Sequence, residues 1–168
     1  MKNLAVIFII MLAIAVVEAQ QPNIDSLKYK SAIAKEDTNK VKLLNQLSLF
    51  YAFSYADTSI AYGQNALDLA EKLDFEQGIL DAEFNLTAAL ITSGNYPRAL
   101  GFGFKALALA KKINRPALII NANAQLGNCY DYLGEHNSSI TYPYKALNLA
   151  EAFHTLKEHF IWPTSIKV

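Results

Sequence analysis

The sequence predicts an all-α fold, a stack of three antiparallel helical hairpins. Three observations predict it. One five-residue word recurs at a fixed interval, apolar residues between the copies fall at helical spacing, and turn-forming residues stand where helices should stop. Ala66-Leu67-Asp68-Leu69-Ala70 returns as Ala106-Leu107-Ala108-Leu109-Ala110 and as Ala146-Leu147-Asn148-Leu149-Ala150, both times 40 residues on. The register extends upstream: Ile60, Leu100 and Ile140 correspond, as do Tyr62, Phe102 and Tyr142, and Gly94 with Gly134. A fixed period of this length marks a supersecondary unit that buries its apolar face on its neighbours.

Each unit reads as two helices. Between Gln77 and Ser93, Leu80, Phe84, Leu86, Ala89 and Leu90 lie at helical intervals. Gly94-Asn95 should end that helix, because glycine supplies the left-handed turn past a helix end. Pro97 then sits in the first turn of the next helix, where its missing N–H costs nothing, and Pro116 opens the third unit in the same way. Asp37-Thr38 and Asp57-Thr58 offer side-chain oxygens as N-caps in the first unit. No stretch alternates apolar and polar residues long enough for a strand.

One slot in the middle of each second helix holds Gly63, Gly103 and Pro143 in turn. A mid-helix glycine costs about 1 kcal/mol against alanine and proline about 3. Either a neighbouring helix passes close and demands a minimal side chain, or the slot faces water and tolerates anything. Close packing, with a local kink at Pro143, is the expectation.

Composition narrows the function classes. Residues are 52% hydrophobic, which permits a core, and the 15 Lys+Arg balance the 15 Asp+Glu. That balance lacks the basic footprint of nucleic-acid binding. One cysteine, Cys129, excludes an internal disulfide framework and a multi-cysteine zinc site. At the N-terminus Lys2 precedes an apolar run from Leu4 to Val17, and Val17-Glu18-Ala19 has the small residues a signal peptidase reads. Residues 1–19 are therefore expected to be a signal peptide cut between Ala19 and Gln20, placing the mature chain in the periplasm or outside the cell. The alternative, an uncleaved anchor, suffers from length: the run spans roughly 21 Å against a hydrocarbon core of ~30 Å. No later segment is apolar enough to span a membrane. Residues 20–37 form a helical lead-in, the repeats occupy about 38–75, 76–115 and 116–154, and 155–168 form an irregular or truncated tail.

The repeats resemble the tetratricopeptide repeat in a longer form of about 40 residues. The third unit carries the likeness best, in Leu126-Gly127, Tyr130, Gly134, Ile140 and Ala146-Leu147. The second keeps Leu86, Gly94-Asn95-Tyr96, Ala99-Leu100 and Ala106-Leu107, with Thr87 where Gly is usual and Leu90 where Tyr is usual. The first keeps Leu47-Ser48, Tyr51, Ile60 and Ala66-Leu67, with an inter-helix turn one residue shorter. Residues 37–48 and Asp57-Thr58-Ser59-Ile60, following an export signal, are similar to the extracytoplasmic sensor half of bacterial two-component histidine kinases. The resemblance implies a right-handed superhelix whose groove is lined by the first helix of each hairpin. Carried onto this chain, the groove positions are Lys42, Asn45 and Leu49, then Asp81, Asn85 and Ala88, then Asn121, Gln125, Asn128 and Tyr132. Asparagine and glutamine both donate and accept, which suits an extended peptide backbone, though such amides also simply solvate surfaces. With Lys42 the only basic member, the lysine clamp for a terminal carboxylate is not matched.

Catalytic chemistry finds little support. Cys129 takes the slot of Ala89 and reads as a small buried thiol. His136 takes the slot of Tyr96, where it should pack or cap. Glu151, His154 and Glu158 could share one helix face toward a metal, but in the least repeat-like part of the chain, and no metal or other cofactor is expected. Asn85-Leu86-Thr87 and Asn137-Ser138-Ser139 fit a glycosylation sequon inside or at the start of repeat helices. The expected function is a non-enzymatic scaffold that binds a protein or peptide, a sensor region of a signalling protein. The alternative is an adaptor that self-associates through its C-terminal repeat face, and the face from about Ala146 to Phe160 is where a missing neighbour should lie.

Overall fold

The computed structural model describes residues 24–161, with side chains described to residue 152. The proposed signal peptide and residues 162–168 lie outside them, as do the side chains of His154, Glu158 and His159. The chain divides into two compact units between Ala34 and Lys35. In the first, α1 (Ile24–Ile33) carries Asp25 in its first turn and Lys30 in its last, charges that complement the helix dipole. Its Ser31 hydroxyl donates to the Lys28 carbonyl at 2.8 Å.

The second unit holds α2 (Thr38–Tyr51), α3 (Ala56–Lys72), α4 (Glu76–Thr92), α5 (Tyr96–Lys112), α6 (Pro116–Tyr132) and α7 (His136–Ile161). These are the three expected hairpins, and no strand occurs among the described residues. Each helix packs on the next, and the first helices α2, α4 and α6 also touch one another in succession. The backbones of the second helices α3, α5 and α7 stand farther apart, meeting through longer side chains such as the edge-on Phe104–Tyr142 pair, 6.0 Å between ring centres. Bringing one row of helices together while the other splays makes the first-helix row the inner, concave side.

The helix ends follow local chemistry. Asp37 caps α2, accepting from the Asn39 and Lys40 N–H groups. Asn95 caps α5 through a 3.4 Å bond from the Arg98 N–H, with Pro97 in the first turn, and Pro116 opens α6. Gly94 and Gly134 turn with φ of 76° and 73°. Asp74 and Asn114, 40 residues apart, take the left-handed conformation between hairpins at φ 49° and 50°. Short polar side chains tolerate it where glycine is absent.

Four expectations need correction. Asp57 lies inside the first turn of α3 and does not cap it; Tyr55 holds the cap position without a side-chain bond. The residue missing from the first repeat is not lost from the turn. Four residues (52–55) link α2 to α3 against three (93–95) between α4 and α5, and α2 is the shorter helix, with 14 residues against 17. His136 is exposed at the start of α7 and does not pack. The helix also runs unbroken past 154 to Ile161; His154 stands where Asp74 and Asn114 turn the chain, without their short side chains.

The small-residue slot is a close-packing slot. A Cβ on Gly63 would lie 2.9 Å from the Ser48 hydroxyl and 3.0 Å from Leu86 of the next hairpin. On Gly103 it would lie 2.9 Å from Leu126 and 3.6 Å from the Thr87 methyl. In the third hairpin the bulk changes sides. Pro143 fills the α7 slot, and the facing residue is Gly127, where a Cβ would come within 2.5 Å of the proline ring. One void is filled from either helix but never from both.

Leu47, Leu80, Leu86, Leu90 and Leu126 are fully buried between the layers. Cys129 is buried as expected; its thiol donates to the Tyr96 carbonyl at 3.4 Å, and burial pushes its pKa up. Glu83 is the one charged residue among the described buried residues. It is 5% exposed, its Oε2 has no partner, and burial pushes its pKa to about 7, opposed by Lys105 and assisted by Glu71. Exposed pairs Lys72–Glu36 and Lys112–Glu76, both 2.8 Å, tie successive inter-hairpin turns in register. Surface pairs of this kind stabilise little.

Candidate functional site

The inner row of helices carries two adjoining hollows. One, of about 510 Å³, is lined by Lys42, Asn45, Gln46, Leu49, Phe53, Asp81, Phe84, Asn85, Ala88, Asn121 and Gln125. The other, of about 700 Å³, lies toward the turns within the hairpins and is lined by Phe53, Ala88, Ile91, Thr92, Tyr96, Gln125, Asn128, Asp131 and Tyr132. Phe53, Ala88 and Gln125 belong to both. All ten groove positions named from the sequence line one hollow or the other, and the three hairpins contribute to one continuous face.

The amides along this face are not equivalent. Asn45 and Asn85 are 6% and 8% exposed and bond inward. Asn45 Nδ2 donates to the Gly78 carbonyl at 3.0 Å, and Asn85 Nδ2 donates to the Asn45 carbonyl at 2.9 Å. They form a buried ladder joining α2 to α4, with their amide N–H groups already engaged. Asn121 and Asn128 are exposed on α6.

Gln125 follows Asn85 by 40 residues and would extend the ladder, but its side chain is one methylene longer. Its Nε2 turns along its own helix to Asn121 Oδ1 at 3.4 Å, and its Oε1 is buried without a partner. Buried polar atoms are almost always bonded, so an acceptor left over where both hollows meet is conspicuous.

Charge and aromatic character divide the two hollows. In the smaller one, Lys42 Nζ stands 5.9 Å from the centre of the Phe75 ring. Asp81 accepts from Gln77 Nε2 at 2.8 Å; burial raises its pKa and that hydrogen bond opposes the rise. The larger hollow has Asp131 as its one charged lining residue among those described. Tyr96 and Tyr132 stack in parallel beside it, 5.6 Å between ring centres and 2° between planes. Phe53, 73% exposed, stands at the junction of the two hollows.

Phe53, Phe84, Tyr96 and Asp131, with Gln46, Ile91 and Thr92, line the hollows but lie outside the groove row named from the sequence. Phe84 falls on the helical period of α4 and is both buried and lining the smaller hollow. Asp131 precedes Tyr132 and could have been reached by widening the groove row by one residue. Phe53 lies in the α2–α3 link, where helical periodicity says nothing. The described side chains hold no cluster of three or more His, Cys, Asp or Glu able to bind a metal, and no described helix is long and apolar enough to cross a membrane.

Comparison with known proteins gives the fold a setting. No protein-family model matches the chain, and no curated protein matches it. Solved structures do. Aspartyl phosphate phosphatase F from Bacillus subtilis superposes with a TM-score of 0.71 at 17% identity, over 80% of this chain and 36% of its own. A Rap protein complexed with Competence and Sporulation Factor gives 0.69 at 22% identity, over 77% and 37%. The TPR domain of Arabidopsis FLU gives 0.58 at 20% identity, over 67% and 98%. The chain thus spans little more than a third of the first two proteins and nearly the whole of the third. At these identities the likeness concerns the fold: the chain is an all-α solenoid of tetratricopeptide-like helical hairpins.

Proposed function

We propose that this chain is an extracytoplasmic scaffold that binds a protein or an extended peptide in the concave face of its repeats, as the sensor region of a signalling protein. The observation that carries the reading is the continuity of the two hollows across α2, α4 and α6, lined by amides and aromatic rings. Such groups hold a chain by hydrogen bonds and ring contacts. A Rap protein of the same fold has been solved with Competence and Sporulation Factor, which supports a binding role. Aspartyl phosphate phosphatase F is named for a reaction, but the likeness carries only the fold, and no reaction is assigned to this chain.

The export proposal rests on Lys2, the apolar run Leu4–Val17 and Ala19. Intact-mass measurement of the exported protein should find Gln20 at the N-terminus; a chain retaining Met1 would overturn it. Ala88 tests the groove, because it lines both hollows and its methyl makes no hydrogen bond; the Thr92 hydroxyl bonds only its backbone carbonyl, which the substitution keeps. Ala88→Trp should abolish capture of peptides from a synthetic library with the helical circular dichroism unchanged. Undiminished capture would overturn the groove reading.

A second reading has its own observation. Ile140, Tyr144 and Leu147 on α7 are 69%, 61% and 52% exposed, whereas Leu107, the register equivalent of Leu147, is 8% exposed. That open face suits an adaptor that stacks on another copy. Light scattering separates the readings: a mass that rises with concentration supports the adaptor, and a constant monomer mass counts against it.

A further inference from the structure

We propose that the larger hollow is a pocket for a basic side chain, arginine above all, of an extended peptide lying in the groove. The inference rests on the groove reading and adds the chemistry of the occupant. Asp131 lines the hollow with no ion-pair partner among the described residues, and no lysine, arginine or histidine lines it. A single carboxylate in an otherwise neutral hollow is complementary to one positive charge, and a guanidinium can meet it with two parallel hydrogen bonds.

The walls fit the same group. Tyr96 and Tyr132 lie parallel, with Tyr132 64% exposed, and Phe53 stands at the junction with the smaller hollow. Aromatic faces attract cations, and the planar guanidinium stacks on them better than an ammonium does. Gln125, which lines both hollows where they join, has a buried Oε1 without a partner among the described residues. Lys42 lies in the other hollow, with Asp81, so the larger hollow holds a carboxylate and no cation among its lining residues.

The test is a positional-scanning library of terminally blocked octapeptides, captured on the immobilised chain and read by mass spectrometry. The wild type should enrich arginine over citrulline at one position by about tenfold or more, as expected for a paired and stacked cation. Asp131→Asn should keep overall capture and lose that preference, while Asp68→Asn, an acidic change outside both hollows, should keep it. Capture without a basic position, or a preference unchanged in Asp131→Asn, overturns the pocket and leaves the groove standing. No capture by the wild type overturns the groove reading itself, and the pocket with it.

Discussion

The two ends of the concave face use the same residue types for opposite purposes. At the α2–α4 end, Asn45 and Asn85 are buried and spend their N–H groups on backbone carbonyls of the neighbouring helix. At the α6 end, Asn121 and Asn128 face solvent, and Gln125 leaves an acceptor unmatched. All five lie on one row of one repeat pattern. What separates them is whether a second first-helix lies close enough to accept the bond, and whether the side chain has the length to reach it. An amide in a repeat groove is therefore part of the fold at one end and open to solvent at the other.

The comparison can be broken by mutation. The largest effect should come from the layer beneath the open end. Leu126→Ala removes a fully buried side chain that packs against Gly103, and should lower stability by about 2–5 kcal/mol in urea denaturation. Asn85→Ala should follow at about 1–2 kcal/mol, because it removes a buried inter-helix hydrogen bond to the Asn45 carbonyl, which keeps its bond within α2. A loss no greater than that of an exposed asparagine would mean that the ladder does not hold α2 to α4.

Glu83 sharpens the contrast on the same helix, α4. Its folded pKa of about 7 stands above the ordinary 4.5, so the folded chain favours the protonated form. Stability should fall as pH rises from about 4.5 to 7, and stay level above that. Glu83→Gln should remove this slope, gaining about 1–3 kcal/mol at pH 8 and little at pH 4. Urea midpoints at the two pH values check it, and parallel profiles for mutant and wild type would contradict it. The smallest effect belongs to the outer edge: Lys112→Ala breaks an exposed ion pair and should leave the midpoint unchanged within error.

Much of this was legible in the sequence. The 40-residue register gave the hairpins, Gly94, Gly134, Pro97 and Pro116 gave their joints, and the tetratricopeptide resemblance placed the groove row on residues that line the hollows. The register also flagged the Gly63, Gly103 and Pro143 slot, but not the exchange with Gly127, which needs the facing helix. Periodicity places Asn45 and Gln125 on a face without saying which has a carbonyl within reach, so the division of labour among the amides was hidden. Phe53 lies in a link, beyond any helical period. Glu83 looks like a surface residue until α3 and α5 close over it.

The most direct measurement pairs binding with stability at the open end. Asn121→Ala with Asn128→Ala should lose most peptide capture from the octapeptide library while the urea midpoint stays at the wild-type value. Capture that survives the double substitution, or a midpoint that falls as far as in Asn85→Ala, would contradict the claim that these amides serve a ligand and not the fold.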